Sequence, residues 1–489
     1  MAGEVPEGSA LDAARLTMLF PTTDFALFFA IVFALHWALS RYRTVWKWFI
    51  LAASYVFYGW WDPGLVWLLA LVSTLAWGAA LWVERQDDEV RRRRRALAAA
   101  GVLLLPLAWF KYYGFFALNV ANAFESLGLE PPLPLLQALL PIGISFYTFM
   151  AISYVVDVSR YEIQPSRWLD VSVYLAFFPH LVAGPIVRGE ELIPQIKRRR
   201  DASAIDLSRA AFLIFGGLFK KVVVSSFLAS QIVDPVFGAP SSHGGLEVLI
   251  AIYAYAIVIY ADFSAYTDIA IGVALLLGFE FPANFDRPYT AVSIQDFWHR
   301  WHMTLSRWLR DYLYIPLGGS RHGELRTAVA LMITMTLGGL WHGAGWTFLA
   351  WGAYNGLGLV IGRWRRLLAG ARGFPSATSG WIEARQRVVT FHLVCLGWVF
   401  FRADSFGSAF ELLGRLGASG STELVTPSVL LAIAGMLMVQ YLPSAPVLRV
   451  RVAFSRMAPA LQGAALALVL FAITTLGAQG VTPFIYFRF

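Results

Sequence analysis

Residues 65–83 read LVWLLALVSTLAWGAALWV, a run in which no side chain carries a charge. A helix of about 20 mostly apolar residues is long enough to cross the hydrocarbon core of a bilayer. Similar stretches recur along the chain, so we predict a bundle of roughly 10–12 membrane-spanning helices. The clearest predicted spans cover residues 25–39, 46–60, 65–83, 96–113, 139–156, 246–261, 328–340, 346–361, 388–401, 429–442 and 461–477.

The overall composition also indicates a membrane protein. Hydrophobic residues make up 58% of the 489 positions and charged residues 14%, whereas soluble domains are about 45–50% apolar and about 25% charged. A soluble fold cannot hide that much apolar surface, so lipid must cover part of it. We predict an all-α polytopic membrane protein in which residues 18–489 form a single transmembrane domain. The polar residues 1–17 are predicted to be a flexible N-terminal extension.

Positive charge is concentrated in two runs, residues 91–95 and 197–200, within a net charge of +8. Both runs lie beside apolar segments, which is typical of cytoplasmic loops, and both can attract anionic lipid headgroups. Neither run belongs to a soluble domain, which argues against nucleic-acid binding. The single cysteine, Cys395, excludes a disulfide within the chain and a cysteine-based metal site.

Two segments do not have the character of simple spans. Residues 171–183 are apolar but short, and Gly184 and Pro185 interrupt them, which favours a re-entrant or surface-lying element. Residues 293–313 have a helical pattern but carry seven ionisable side chains, too many for a helix that faces lipid. The second segment is predicted to form one aromatic face beside His302, through Trp298, Trp301, Leu305, Trp308 and Tyr312.

The chemistry is predicted to lie in two polar constellations. The first comprises residues 260–268, then Asn284, Asp286 and Arg287, and ends in residues 297–306, which contain His302. The second is residues 338–345, GGLWHGAG, in which glycines flank His342. Glycine permits close backbone approach, so a substrate could reach the imidazole of His342. A neutral imidazole can take a proton from a hydroxyl or attack a thioester.

The residues alone leave several interpretations open. Either histidine can be a buried structural residue, and His36, His180 and His392 are predicted to be packed or interfacial, with His243 and His322 solvated. Asp296, His299 and His302 recur at i, i+3 and i+6 and could line one helix face as metal ligands. Asp262, Asp268 and Arg287 could serve proton relay in a transporter, although hydrogen bonding to nearby Tyr, Ser or Thr is the simpler role for the acids. A non-catalytic membrane scaffold is the remaining alternative.

Several motifs, in this order, resemble the membrane-bound O-acyltransferase family, and in particular its bacterial branch that acetylates polysaccharides such as alginate. The resemblance extends from about residue 18 to the C-terminus. Its motifs are residues 58–63 (YGWWDP), 140–149 (LPIGISFYTF), 181–186 (LVAGPI), 296–302 (DFWHRWH), 308–314 (WLRDYLY), 341–343 (WHG) and 484–489 (FIYFRF). His299 stands where this branch commonly has another residue, which weakens the metal interpretation.

The resemblance implies a ring of helices, with re-entrant and interfacial helices, around a central funnel. It implies that His342 is the catalytic histidine and His302 its companion. The acyl donor would be a cytoplasmic thioester, acetyl-CoA in this branch, with no tightly bound cofactor and no metal. The acceptor would be an extracytoplasmic polysaccharide, reached directly or through a partner acetyltransferase, and the chain would lie in the bacterial inner membrane. The expected substrate-binding residues are Trp298, Trp301, Asp296, Arg300, Trp341, Asn284 and Arg310.

Overall fold

The computed structural model describes residues 18–134, 136, 140–368, 370, 380–477 and 484. The predicted flexible extension, residues 1–17, lies outside them. Every regular element in the described residues is helical, as an all-α polytopic membrane protein requires. In chain order the helices are α1 Thr23–Leu39, α2 Arg43–Gly59, α3 Val66–Glu84, α4 Glu89–Ser126, α5 Ile144–Ser159, α6 Trp168–Ala176, α7 Phe178–Leu181, α8 Gly189–Lys197, α9 Leu207–Gly238, α10 Gly245–Leu276, α11 Ile294–Arg300, α12 Met303–Leu309, α13 Glu324–His342, α14 Trp346–Leu368, α15 Gly380–Arg402, α16 Phe406–Gly414, α17 Pro427–Tyr441, α18 Ser444–Ser455 and α19 Pro459–Leu476.

Within the described residues, five helices are long and apolar enough to cross a membrane: α3 with the turn before it, α4, α9, α10 and α19. The helices α17 and α18, bent by 90°, would make a sixth as a broken span. This is fewer than the roughly 10–12 spans predicted from hydropathy. The difference arises because α1 and α5 are shorter than a full crossing, and because helices such as α14 and α15 carry charged residues near their ends. The chain is a multi-pass membrane protein.

The described residues form two compact units. Among the described residues, one unit comprises those up to Ile214 and those from Tyr266 to Pro282. The other comprises those from Phe215 to Ala265 and those from Ala283 onward. All the expected catalytic and substrate-binding residues belong to the second unit.

In the first unit, the basic run 91–95 is only partly exposed. Arg92 is 4% exposed, and its guanidinium donates hydrogen bonds to the carbonyls of Glu84, Gln86, Val158 and Ser159. Glu84, Val158 and Ser159 lie at the C-terminal ends of α3 and α5, where carbonyls have no partners within their own helices, and Gln86 lies two residues after α3. Arg92 therefore joins two helix ends, while its exposed neighbours in the run, residues 91, 93 and 94, are the ones available to lipid headgroups.

The apolar segment 171–183 also lies in the first unit and is broken, as predicted. It forms α6 and the one-turn helix α7, which the structure buries rather than leaving on the surface. Two glycines make the packing possible: a Cβ on Gly143 would lie 2.3 Å from the carbonyl oxygen of Leu181, and one on Gly184 would lie 2.4 Å from the Cα of His180. The segment is therefore packed inside its unit, and the choice between a re-entrant and a surface-lying element stays a prediction.

In the second unit, helices α13 and α14 pack closely through glycines. A Cβ on Gly339 would lie 2.2 Å from the carbonyl oxygen of Phe348, and one on Gly352 would lie 2.3 Å from that of Met335. The Cα atoms of the two backbones approach so closely that no side chain fits between them. Because His342 is the last residue of α13, this contact sets its position against α14.

Candidate active site

The segment 293–313 is not the single helix that its pattern predicts. Helix α11 ends at Arg300, Trp301 is extended, and His302 adopts a left-handed conformation with φ 42° and ψ 54° before α12 begins at Met303. A left-handed conformation in a non-glycine residue costs about 1–3 kcal/mol and is often found at functional sites. The continuous aromatic face is therefore wrong, because the break rotates the residues after it.

Hydrogen bonds to the preceding loop hold the break in place. The backbone N–H of Asp286 donates to the carbonyl of Arg300 at 2.9 Å, and that of Met303 donates to the carbonyl of Asn284 at 2.9 Å. These bonds satisfy backbone groups that a continuous helix would have paired internally. The pattern of residues 293–313 could not predict the break, since the compensating partners lie outside the segment.

His302 is fully buried at this break. Its Nδ1 lies 3.2 Å from the side-chain oxygen of Asn284, which also accepts hydrogen bonds from the backbone N–H and the hydroxyl of Thr304, at 3.2 and 2.9 Å. The expected role of Asn284 in substrate binding stays a prediction, and its Oδ1 contacts His302.

His342 lies in the same buried cluster and is 3% exposed. Its ring centroid is 6.5 Å from that of His302, with an angle of 69° between the planes. Trp341 contacts both imidazoles, with centroids 6.0 Å from His302 and 4.9 Å from His342. The two histidines and the tryptophan that the sequence singled out therefore meet at one place.

Two of the glycines near His342 have a packing role. The space beside Gly339 is filled by the backbone of Phe348 and that beside Gly343 by its ring, and access of a substrate to the imidazole stays a prediction. Gly343 is extended, with φ −159°, so its backbone conformation does not require glycine. Glycine is required there because no space is left for a side chain. The glycines bring α13 against α14 and thereby fix the imidazole.

Aromatic rings enclose the two histidines. Trp351 and Phe401 lie 5.1 and 5.4 Å from His342, and Phe263 lies 4.7 Å from His302, all edge to face. Sequence reasoning did not single out these three residues. The helical spacing of Trp398 and Phe401 on α15 was the available signal, because it places both on one helix face.

The predicted Trp298 and Trp301 both belong to this aromatic surround. Trp298 donates its indole N–H to the side-chain oxygen of Asn355 at 3.1 Å and packs against Trp351. Trp301 is 2% exposed and lies 4.9 Å from Trp398. Their contacts are with protein groups, so their expected role in substrate binding stays a prediction.

The charged residues of the predicted site form ion pairs. Arg300 pairs with Asp296 at 2.8 Å and lies 3.8 Å from Asp286. Arg310 pairs with its neighbour Asp311 at 2.7 Å, and its side chain is 61% exposed. Both arginines are thus placed at partly or largely exposed positions, in contrast to the buried ring cluster.

The metal interpretation required Asp296, His299 and His302 on one helix face. The break before α12 removes that face. Within the described part of the chain, no three His, Cys, Asp or Glu side chains are grouped as metal ligands would be.

A buried ion pair was not foreseen. Lys221 and Asp262, 0% and 2% exposed, lie 2.7 Å apart between α9 and α10. Asp262 was expected to hydrogen-bond to Tyr, Ser or Thr, and the structure also places it beside a cation. Lys221 lies in a π-helical turn, Phe219–Ser225, a feature that hydrophobic periodicity does not predict.

The other histidines also differ in part from expectation. His36 and His180 are buried, as predicted. His392 lies 2.7 Å from the Tyr253 hydroxyl. His243, expected to be solvated, instead pairs with the Glu247 carboxylate at 2.7 Å and is largely buried.

The helical fold and its candidate spanning helices define a polytopic membrane protein, and two buried imidazoles lie close together in its second unit. The sequence pattern of the membrane-bound O-acyltransferase family matches residues 53–372, and the chain belongs to that family. It is an O-acyltransferase.

Individual relatives extend the comparison. The chain is 37% identical over 412 residues to the probable alginate O-acetylase AlgI of Pseudomonas aeruginosa, covering 83% of this chain and 76% of the relative. It is 33% identical over 408 residues to the peptidoglycan O-acetyltransferase of Helicobacter pylori, covering 76% and 74%. It is 29% identical over 296 residues to the teichoic acid D-alanyltransferase of Streptococcus thermophilus, covering 56% and 71%.

Proposed function

We propose that this chain takes an acetyl group from a cytoplasmic thioester, acetyl-CoA, and passes it across the bacterial inner membrane to the hydroxyl groups of an extracytoplasmic polysaccharide. The transfer is direct or proceeds through a partner acetyltransferase. The names of two relatives, a probable alginate O-acetylase and a peptidoglycan O-acetyltransferase, support acetyl as the group and a polysaccharide as the acceptor.

The observation that carries the proposal is the juxtaposition of His302 and His342 in one buried cluster. In the proposed reaction His342 acts on the thioester in one of two ways. As a general base, it takes the proton of the attacking hydroxyl, which forms the new ester bond as the thioester bond breaks and the thiol leaves. As an acyl acceptor, its ring nitrogen bonds to the acyl carbon as the carbon–sulfur bond breaks and the thiolate leaves. In a second step the hydroxyl attacks the acyl carbon, the bond to the imidazole breaks, and the hydroxyl proton passes to the imidazole nitrogen.

The enclosure of the histidines supports this chemistry. The rings of Trp341, Trp351 and Phe401 cover His342 and exclude bulk water from it. An activated acyl group in such a place is protected from hydrolysis.

The test uses the polymer made by the cell. In a strain lacking this gene, the wild-type chain is expected to restore the acetyl content of the surface polysaccharide, measured by NMR spectroscopy after purification. His342→Gln is expected to leave the polymer unacetylated at equal protein level. His299→Gln is the matched control, since His299 lies on α11 with an exposed side chain. Full acetylation by His342→Gln would refute the role of His342, and an unchanged polymer in the deletion strain would refute the proposed acceptor class.

A further inference from the structure

The hydrogen bonds around Asn284 identify which atom of its amide faces His302. The same atom lies 3.2 Å from the backbone nitrogen of Thr304 and 3.2 Å from Nδ1 of His302. A backbone N–H can only donate. The atom that receives it is therefore the side-chain oxygen of Asn284, and the amide orientation follows from the network.

The orientation of Asn284 determines the proton position on His302. An amide oxygen has no hydrogen to give, so Nδ1 of His302 must carry the proton and donate it. In a neutral imidazole the other nitrogen, Nε2, then has a lone pair and accepts. His302 lies outside the candidate spans, and burial lowers its pKa to about 3, which is consistent with a neutral ring.

Several contacts hold Asn284 and His302 in this arrangement. Asn284 is 2% exposed, so little water competes for its oxygen. Its backbone carbonyl accepts the N–H of Met303 at 2.9 Å, the residue next to His302, and Phe263 packs edge to face on the imidazole at 4.7 Å. These contacts therefore fix three parts relative to one another: the loop that carries Asn284, the break between α11 and α12, and the imidazole of His302.

We propose that Asn284 is a positioning residue that holds His302 in the Nδ1–H tautomer, so that Nε2 accepts a hydrogen bond from the hydroxyl group of the acyl acceptor. The tautomer itself follows from contacts in the protein. Only the use of Nε2 rests on the proposed function, because it requires a hydroxyl-bearing acceptor.

The tautomer is tested directly by NMR spectroscopy of histidine labelled with nitrogen-15 in the full-length protein in nanodiscs. The His302 signals are assigned by their loss in His302→Asn. The proposal expects a protonated Nδ1 and an unprotonated Nε2 in the wild type, and loss of this single state in Asn284→Ala. A proton on Nε2 in the wild type, or an unchanged spectrum in Asn284→Ala, would overturn it.

Two further variants test whether Asn284 positions His302 or only supports the folding of the protein. Asn284→Asp keeps an oxygen acceptor for His302 and Thr304, so it is expected to retain the Nδ1–H tautomer and most of the acetyl transfer. Thr304→Val is the matched control, because it removes one donor to Asn284 and leaves the bond to His302.

Kinetic measurements distinguish the positioning role of Asn284 from the proposed acetyl transfer on which part of it rests. Asn284→Ala is expected to lower kcat by about tenfold or more, with little change in KM, since the wrong tautomer impairs the reaction more than binding. Wild-type kcat in Asn284→Ala would overturn the positioning role. If the wild-type protein shows the Nδ1–H tautomer and yet transfers no acetyl group, the proposed function fails and the tautomer assignment stands.

Discussion

The imidazole rings of His302 and His342 lie 6.5 Å apart, centroid to centroid, on separate elements of one compact unit. This distance is too long for a direct hydrogen bond between ring nitrogens, for which donor and acceptor are about 2.7–3.2 Å apart. A reacting group held between the rings could contact both. The two histidines are thus placed to act on one substrate rather than on each other.

Histidines that act on one substrate should show non-additive losses. We predict that His302→Asn and His342→Asn each reduce acetyl transfer by about 10²–10⁴-fold, and that the double variant is little worse than the more damaged single variant. Initial rates of acetyl transfer by equal amounts of folded protein check this. Fully multiplicative losses would mean that the two residues act independently.

The contact between α13 and α14 should be sensitive to a single methyl group. A Cβ at position 339 or 352 would lie within 2.3 Å of a backbone carbonyl oxygen of the neighbouring helix. We predict that Gly352→Ala destabilises the protein by about 1–3 kcal/mol through overpacking and displaces His342. A lower melting temperature in detergent, together with reduced acetyl transfer, is the expected result.

Gly362 provides the matched control on the same helix. Nothing lies within 4 Å of the position that its Cβ would take, so Gly362→Ala is expected to leave stability unchanged or slightly raised. Equal melting temperatures for Gly352→Ala and Gly362→Ala would contradict the close-packing account.

The sequence predicted the fold class because the apolar segments are long and frequent. It also singled out His302, His342 and Trp341, which the structure brings together. It did not predict the break at His302, because the helical pattern of residues 293–313 continues through it and the hydrogen bonds that compensate come from residues 284–286. The pairing of Lys221 with Asp262 was missed for the same reason, since two distant segments form it.

Arg92 is predicted to be structural despite its place in an exposed basic run. Arg92→Ala removes the donor from four carbonyls at or next to helix ends. The bond to the Val158 carbonyl is buried, and a buried acceptor left unpaired costs about 1–3 kcal/mol. We expect a marked fall in the yield of folded protein, measured by size-exclusion chromatography in detergent. Arg93→Ala, at an exposed position of the same helix, should behave as the wild type. If both variants fold equally well, the helix-joining role is wrong.

Variants of the buried pair of Lys221 and Asp262 can show whether these residues have a structural role or take part in proton relay. Removing one partner leaves an uncompensated buried charge, at a cost of about 3–5 kcal/mol. Lys221→Met and Asp262→Leu are therefore each expected to impair folding, and the double variant to restore it, as judged by thermal unfolding.

Activity of the double variant then decides between the two roles. A structural pair predicts that the folded double variant transfers acetyl groups at close to the wild-type rate. A well-folded but inactive double variant would indicate that the charges take part in the function, as the transporter interpretation requires.

The most direct measurement of the central claim supplies radiolabelled acetyl-CoA to the cytoplasmic face of inverted membrane vesicles and counts label in the polysaccharide. The vesicles come from the deletion strain carrying the wild-type chain, His342→Gln or the control His299→Gln, at matched protein levels. The account predicts label with the wild type and with His299→Gln, and a rate lower by about 10²–10⁴-fold with His342→Gln. Equal labelling with His342→Gln and His299→Gln would contradict it.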